Sequence, residues 1–306
     1  MITTDELVRR GSVTTDVALA PFTTYKLGGA AAYFAEPATV DELRALIEGF
    51  SGRDLLLLGR GSNVVISDRG FDGLVIRLSG SFAEVDLDGD LVSAGGAVSL
   101  PVLARFAARA GRGGLEWCVG VPGSVGGAVR MNAGCLGSDI SMCLDRAEVM
   151  SLRSGRIRSL TAADLELSYR HSNLGPDDAV VSAAFLTTEV EPAAAAAELK
   201  RITQWRREHQ PGGTLNAGSV FKNPPGDAAG RLIDDAGLKG HGIGDVRVSP
   251  RHANFFEAGP AATAQQVRDL TFEVRQIVAA KTGVWLEPEV RFIGSFEPSP
   301  GEGMAP

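Results

Sequence analysis

Hydrophobic and polar positions change period several times along the chain, and each change marks an element. Behind a T-x-x-E capping box of Thr39 and Glu42, the apolar residues Leu43, Leu46, Ile47 and Phe50 recur at helical spacing. Short β-rich runs at 33–35, 55–58, 64–67 and 74–78 flank that helix. Strand patterning returns over 82–97 around a turn at Asp88-Gly89-Asp90. Ser99 and Pro101 then open a helix carrying Leu103, Phe106, Ala107 and Ala110, which Gly111 ends. Residues 144–189 alternate again, with a turn at Ser154-Gly155. Past Glu191-Pro192 the run AAAAAELKRITQWRREHQ reads as a helix with Leu199, Ile202 and Trp205 toward a core. A short helix follows around Leu232 and Ile233. The best marked helix runs over 263–281, with Thr263 and Gln266 as its caps, Val267, Leu270, Val274 and Ile277 as its stripe and Gly283 as its stop. WLEPEVRFIG reads as a last strand.

This order predicts an N-terminal extension over 1–20, two strand-rich α+β units at 21–80 and 81–190, a third α+β unit at 191–294 and a disordered tail at 295–306. The length of 306 residues suits two or three domains, and 44% hydrophobic against 22% charged residues excludes a disordered or fibrous chain. A formal charge of -7 argues against a general binder of nucleic acid or acidic membrane, so any anionic ligand must be met by local groups. Cys118, Cys135 and Cys143 match no zinc or disulfide spacing, and we read them as small buried hydrophobes. The N-terminus MITTDELVRRGSVTTD has acids where a signal peptide needs bases, and no long apolar run occurs. A cytoplasmic, monomeric protein without a metal site is expected.

Glycine, 38 residues in all, concentrates in two segments. In the first, Gly59, Arg60, Gly61, Ser62 and Asn63 follow an apolar strand, but Val64 replaces the third glycine of G-x-G-x-x-G, which disfavours a Rossmann site. The remaining readings are a nest of main-chain N–H groups around a phosphate, with Ser62 and Asn63 as added donors, or a glycine turn in a tight hairpin. The second segment holds Gly120, Pro122, Gly123, Ser124, Gly126, Gly127 and Asn132. It has no GK[ST], and its glycines are too dense for a regular element. It is either a loop that a ligand approaches closely or a loop packed tightly between sheets. Two such loops suggest one extended ligand, such as a dinucleotide.

The motifs TTYKLGGAA (23–31), LGRGSNVVISDRGFDGLVI (58–76), GVPGSVGGAVRMNAG (120–134), SYRHS (168–172), AGSVFKNP (217–224) and LEPEVRFIG (286–294) occur in that order. Together they resemble the UDP-N-acetylenolpyruvoylglucosamine reductase family, flavoenzymes that make UDP-N-acetylmuramate for peptidoglycan. The resemblance implies an α+β protein: an FAD-binding fold of the vanillyl-alcohol-oxidase type, built from two subdomains, then a substrate-binding domain. It further implies that NADPH reduces the FAD and that hydride then passes to the enolpyruvyl double bond of UDP-N-acetylglucosamine enolpyruvate; because His171, His209, His241 and His252 all lie outside the two glycine loops, the FAD is expected to be held without a covalent link. In this family pattern Ser219 falls on the proton donor, Arg170 on the arginine that steadies the enolate and carboxylate, and Glu289 on the catalytic glutamate. Glu287 lies on the same strand face and competes for that place. The loop residues 59–63 and 120–132 named above fall on the cofactor site, and Tyr169, Lys222, Asn223 and Arg231 on the substrate site. Lys222 or a water would reprotonate Ser219. The short stretch between Arg170 and Val180 resembles the second structural type of the family, and Glu257-Ala258 after HANF departs from its usual asparagine. The competing readings are an FAD oxidase or dehydrogenase of the same fold, and a nucleotide-sugar binding protein without catalysis.

Overall fold

The computed structural model describes residues 2–300, 302 and 303. The chain divides into two units, each assembled from separated stretches. The first takes residues up to 15, 33–60 and 73–206, and the second takes 16–32, 61–72 and residues from 207 onward. This differs from a linear partition at 80 and 190. The reason lies in strand pairing: the strand Val64–Ile66 runs parallel to Arg291–Ile293, so an early segment completes a late unit. No local signal in the sequence announces such a pairing.

In the first unit, helix α1 (Thr4–Arg9) lies within the expected extension and buries Leu7 against α2 (Val40–Gly49). The α2 cap is only half a box. Thr39 Oγ1 accepts the Glu42 N–H at 3.2 Å, whereas the Glu42 carboxylate accepts from the N–H of Ala38, one residue earlier, at 2.7 Å. An antiparallel sheet follows in the order Ile157–Thr161, Leu144–Ser151, Asp178–Leu186, Leu91–Gly95, Val85–Asp88. Helices α3 (Leu100–Arg109), α4 (Val125–Met131) and α5 (Pro192–His209) contribute Leu103, Val125, Val129 and Ile202 to its core, together with Phe185 and Cys118. Helix α4 overturns the expectation of a loop there. An added Cβ on Gly126 would lie 3.0 Å from the Val180 carbonyl oxygen and 3.2 Å from that of Gly96, so glycine lets the helix approach the sheet backbone. That packing offsets the helix propensity lost to glycine, about 1 kcal/mol per residue.

Cys118 and Cys143 are buried in this unit and Cys135 is half-buried. Burial raises the Cys118 thiol well above its ordinary value and pushes Cys143 up to about 12. An unfolded thiol ionises near pH ~8.5, so the unfolded chain sheds protons that the folded one keeps. The stabilisation is whole below that pH and falls as pH rises toward 12, by about 1.4 kcal/mol per pH unit for each thiol at the steepest. We expect the urea midpoint to fall between about pH 8 and about pH 10.5. A chromogenic disulfide reagent should label these two thiols only after unfolding. Rapid labelling of both in the native protein would contradict their burial.

The second unit packs α6 (Ala229–Asp235) and α7 (Ala264–Thr282) with a three-stranded sheet, Gly242–Ile243, Val246–Val248 and Phe256–Ala258. Val220, Phe221, Phe256, Val267, Leu270, Val274, Leu286 and Val290 form its core. Both halves of the α7 capping box are present, Gly283 closes the helix at φ +75°, and the Asp68 carboxylate accepts the N–H groups of Ala264 and Gln265 at 2.9 and 3.0 Å. Residues 295–300, expected as disordered tail, lie against α7 instead. Ser299 Oγ donates to Asp269 at 2.8 Å, the Glu297 N–H donates to Gln265 at 3.0 Å, and Arg268 stacks on Phe272, Phe292 and Phe296 while pairing with Glu302. Phe296 supplies the apolar anchor that the polar, proline-rich composition hides. Residues 301 and 304–306 of that expected tail lie outside the described residues. Among the described residues no helix is long and apolar enough to cross a membrane.

Candidate functional site

The first glycine segment is a turn of special geometry. Gly61 is buried at φ +63°, and a Cβ there would fall on the Phe22 carbonyl oxygen and 2.7 Å from Thr23 Cα, so only glycine fits. Its carbonyl accepts the Thr24 N–H at 3.1 Å. Among the described residues, no hydrogen bond involves the main-chain N–H of Gly59, Arg60, Gly61, Ser62 or Asn63. Five successive donors are thus left over from the fold. The second segment meets the first within the first unit, since a Cβ on Gly59 would stand 2.6 Å from Ser124 Oγ. Ser124 also caps α4, accepting the Gly127 N–H at 3.4 Å, and Gly123 and Val125 pair with the main chain of Leu100 and Val98. Leftover main-chain donors of this kind suit the phosphates of a dinucleotide. The residues therefore fit FAD.

Asn132, expected at the cofactor, engages both ends of its amide within the protein. It ends α4 in the left-handed region at φ +41° and is 1% exposed. Its Nδ2 donates to the Ser168 carbonyl at 2.9 Å and to Asp139 at 3.3 Å, and its Oδ1 accepts the Ser141 N–H at 3.0 Å. It thereby ties the end of α4 to the turn at 168–171, closed by Ser168 and His171 donating N–H groups to each other's carbonyls. Tyr169 and Arg170 occupy the tip of that turn. Arg170 adopts φ +54°, costly for a residue with a Cβ, and its Nη2 donates to the Gly134 carbonyl at 3.1 Å while its guanidinium lies over the half-exposed Tyr169 ring.

Ser219, Lys222, Asn223, Arg231 and Glu289 all lie in the second unit. Residues 219–222 run between two flanking segments. On one side the Glu289 N–H donates to the Val220 carbonyl at 2.7 Å and the Lys222 N–H to the Glu287 carbonyl at 2.9 Å; on the other, Ser219 bridges to Phe255. Val220 and Phe221 are both buried. The two competing glutamates separate here. Glu287 is exposed and pairs with Lys222 at 2.7 Å, whereas Glu289 is half-buried and its carbonyl accepts from Asn63 Nδ2 at 3.1 Å. Asn63, expected at the cofactor, thus touches the segment that carries the glutamate. Asn223 Oδ1 accepts the first N–H of α6, from Ala229, at 3.0 Å, and Arg231 is held between Asp227 and Asp235. Glu257, the departure after HANF, is buried against Arg247 and Ser249 at 3.1 and 2.7 Å, closing the sheet. Sequence reasoning passed over Asn254, whose only signal was a lone amide in an apolar run.

Residues 31–161 match the FAD binding domain family, which makes this an FAD-binding protein. Residues 210–293 match the C-terminal domain of UDP-N-acetylenolpyruvoylglucosamine reductase. The chain is 44% identical to the UDP-N-acetylenolpyruvoylglucosamine reductase of Synechococcus sp. (strain RCC307), over 92% of this chain and 94% of that one. It is 43% identical to the enzyme so named in Caulobacter vibrioides, over 93% and 96%. The crystal structure of the reductase from Thermus caldophilus superimposes with a TM-score of 0.79 at 34% identity, covering 92% of this chain and 98% of that one. The chain belongs to the UDP-N-acetylenolpyruvoylglucosamine reductase family.

Proposed function

We propose that this chain, acting as a cytoplasmic monomer, reduces the enolpyruvyl group of UDP-N-acetylglucosamine enolpyruvate to give UDP-N-acetylmuramate. One observation carries the assignment of roles: the Glu289 N–H to Val220 carbonyl hydrogen bond, 2.7 Å long, sets the segments bearing Ser219 and Glu289 side by side. FAD, when bound, supplies the hydride chemistry, with NADPH as electron donor. The main-chain donors of 59–63 and the glycine surface at 120–127 bind its pyrophosphate. Hydride arrival at the methylene carbon of the double bond would leave a carbanion on the carbon bearing the carboxylate, its charge shared into that carboxylate as an enolate, and the Arg170 guanidinium steadies it with its fork of donors. Ser219 gives its proton to the other carbon. Glu289 polarises that step from the neighbouring segment. Glu287 holds the Lys222 ammonium, so we assign the return of the Ser219 proton to a water. Tyr169, Lys222, Asn223 and Arg231 belong to substrate binding in this scheme.

The test is anaerobic mixing of the purified protein with NADPH, followed by UDP-N-acetylglucosamine enolpyruvate. The visible flavin band is expected to bleach and then recover on adding the substrate. Recovery only on admitting oxygen would instead favour an oxidase, and a colourless protein that cannot be reconstituted with FAD would mark a binding module.

A further inference from the structure

We infer that Asn254, which the proposed chemistry does not use, is the positioning residue for Ser219: its carboxamide stands in for a missing strand along Phe221. The inference rests on the reading of Ser219 as proton donor. The Asn254 main-chain carbonyl accepts the Val220 N–H at 2.8 Å. Its side chain then continues the ladder by one step, Oδ1 accepting the Phe221 N–H at 2.9 Å and Nδ2 donating to the Phe221 carbonyl at 2.8 Å. The main chain cannot supply that step itself, because it turns tightly at 252–255, where the Phe255 N–H donates to the His252 carbonyl at 2.9 Å.

With the Glu289 N–H already on the Val220 carbonyl, every main-chain donor and acceptor of Val220 and Phe221 is engaged. Both residues are buried and Asn254 itself is 3% exposed, so no water replaces a lost partner cheaply. Immediately before Ser219 stands Gly218 at φ +73°, with open space where a Cβ would be. Gly218 is held through its N–H on Asn216 Oδ1 at 3.0 Å, and on its other side Ser219 is joined directly to the peptides that Asn254 clamps. A carboxamide is the one side-chain group that carries a donor and an acceptor at the spacing of a peptide.

The variants are Asn254→Ala, which removes both contacts, and Asn254→Asp, which keeps the volume and the acceptor and loses the donor. Three quantities are read in each flavin-loaded protein: flavin reduction by NADPH, substrate affinity from the flavin spectrum, and reoxidation by substrate. The first two should stay near the parent values while reoxidation slows about 10- to 100-fold, the loss expected for a displacement on the order of 1 Å. Combined with Ser219→Ala, Asn254→Ala should slow reoxidation no further, since it acts through the same hydroxyl. Additive losses would overturn the inference, as would equal slowing of both half-reactions with a lowered melting temperature, the mark of scaffold damage alone. If Ser219→Ala itself reoxidised at the parent rate, the reading beneath the inference would fail, and the inference with it.

Discussion

Ser219→Ala is expected to leave flavin reduction by NADPH near its parent rate and to slow reoxidation by UDP-N-acetylglucosamine enolpyruvate about 100- to 10,000-fold, the usual range for a lost general acid. The separation follows from where the residue stands. Ser219 lies in the second unit, next to peptides clamped by Asn254 and by the Glu289 segment, whereas α4 belongs to the first unit. Removing one hydroxyl from a half-buried position disturbs no core packing. Stopped-flow absorbance at the flavin band resolves the two half-reactions, and substrate affinity should change little because the hydroxyl matters most in the transition state. Two fast half-reactions would exclude Ser219 as the donor.

Gly70→Ala should destabilise the fold by about 2 to 5 kcal/mol, from the left-handed backbone and the overpacking it forces. Gly70 sits at φ +79°, and a Cβ there would collide with the Ala30 carbonyl oxygen and stand 2.8 Å from the Ala30 nitrogen. Those are main-chain atoms and cannot swing aside. Gly29 answers from the other strand, where a Cβ would lie 2.6 Å from the Gly70 nitrogen. The two glycines let 28–30 and 67–70 run in contact, with the Gly29 N–H on the Ser67 carbonyl at 2.9 Å. Thermal unfolding should shift down by roughly 5 to 15 °C for a chain of this size. A loss below about 1 kcal/mol would show that the strands can part without cost.

Helical period and end signals were the most legible features. Helix α7 shows both halves of its capping box and the glycine stop that Thr263, Gln266 and Gly283 announce, and the β pattern over 144–186 becomes three strands of one antiparallel sheet, while Thr188–Glu189 pairs with Arg112–Gly113. Helix α4 was illegible because local propensity argues against glycine at 126 and 127, while the reason for it, the nearby carbonyls of Val180 and Gly96, is remote in sequence. The interleaving of the two units escaped for the same reason. In the site, the glycine pattern at 59–63 pointed to leftover N–H donors, which the structure has. Glu287 and Glu289 are equivalent in any period-2 reading; exposure, the Lys222 ion pair of Glu287 and the Asn63 contact to the Glu289 main chain tell them apart. Asn254 and Asn132 do their work by satisfying main-chain groups of distant segments, a role that no composition or spacing records.

The late pairing of an early strand sets a clock on biosynthesis. Asn63 and Glu289 are 226 positions apart, and at about 5 to 20 residues per second a ribosome needs roughly 10 to 45 seconds to make the chain between them. Throughout that interval the nascent Val64–Ile66 edge, with Val65 and Ile66 destined for the interior, lacks its strand partner. Chaperone supply and translation speed should therefore govern the yield of native protein more than its final stability does, and a fragment beginning at residue 207 should remain incomplete however long it is left to fold.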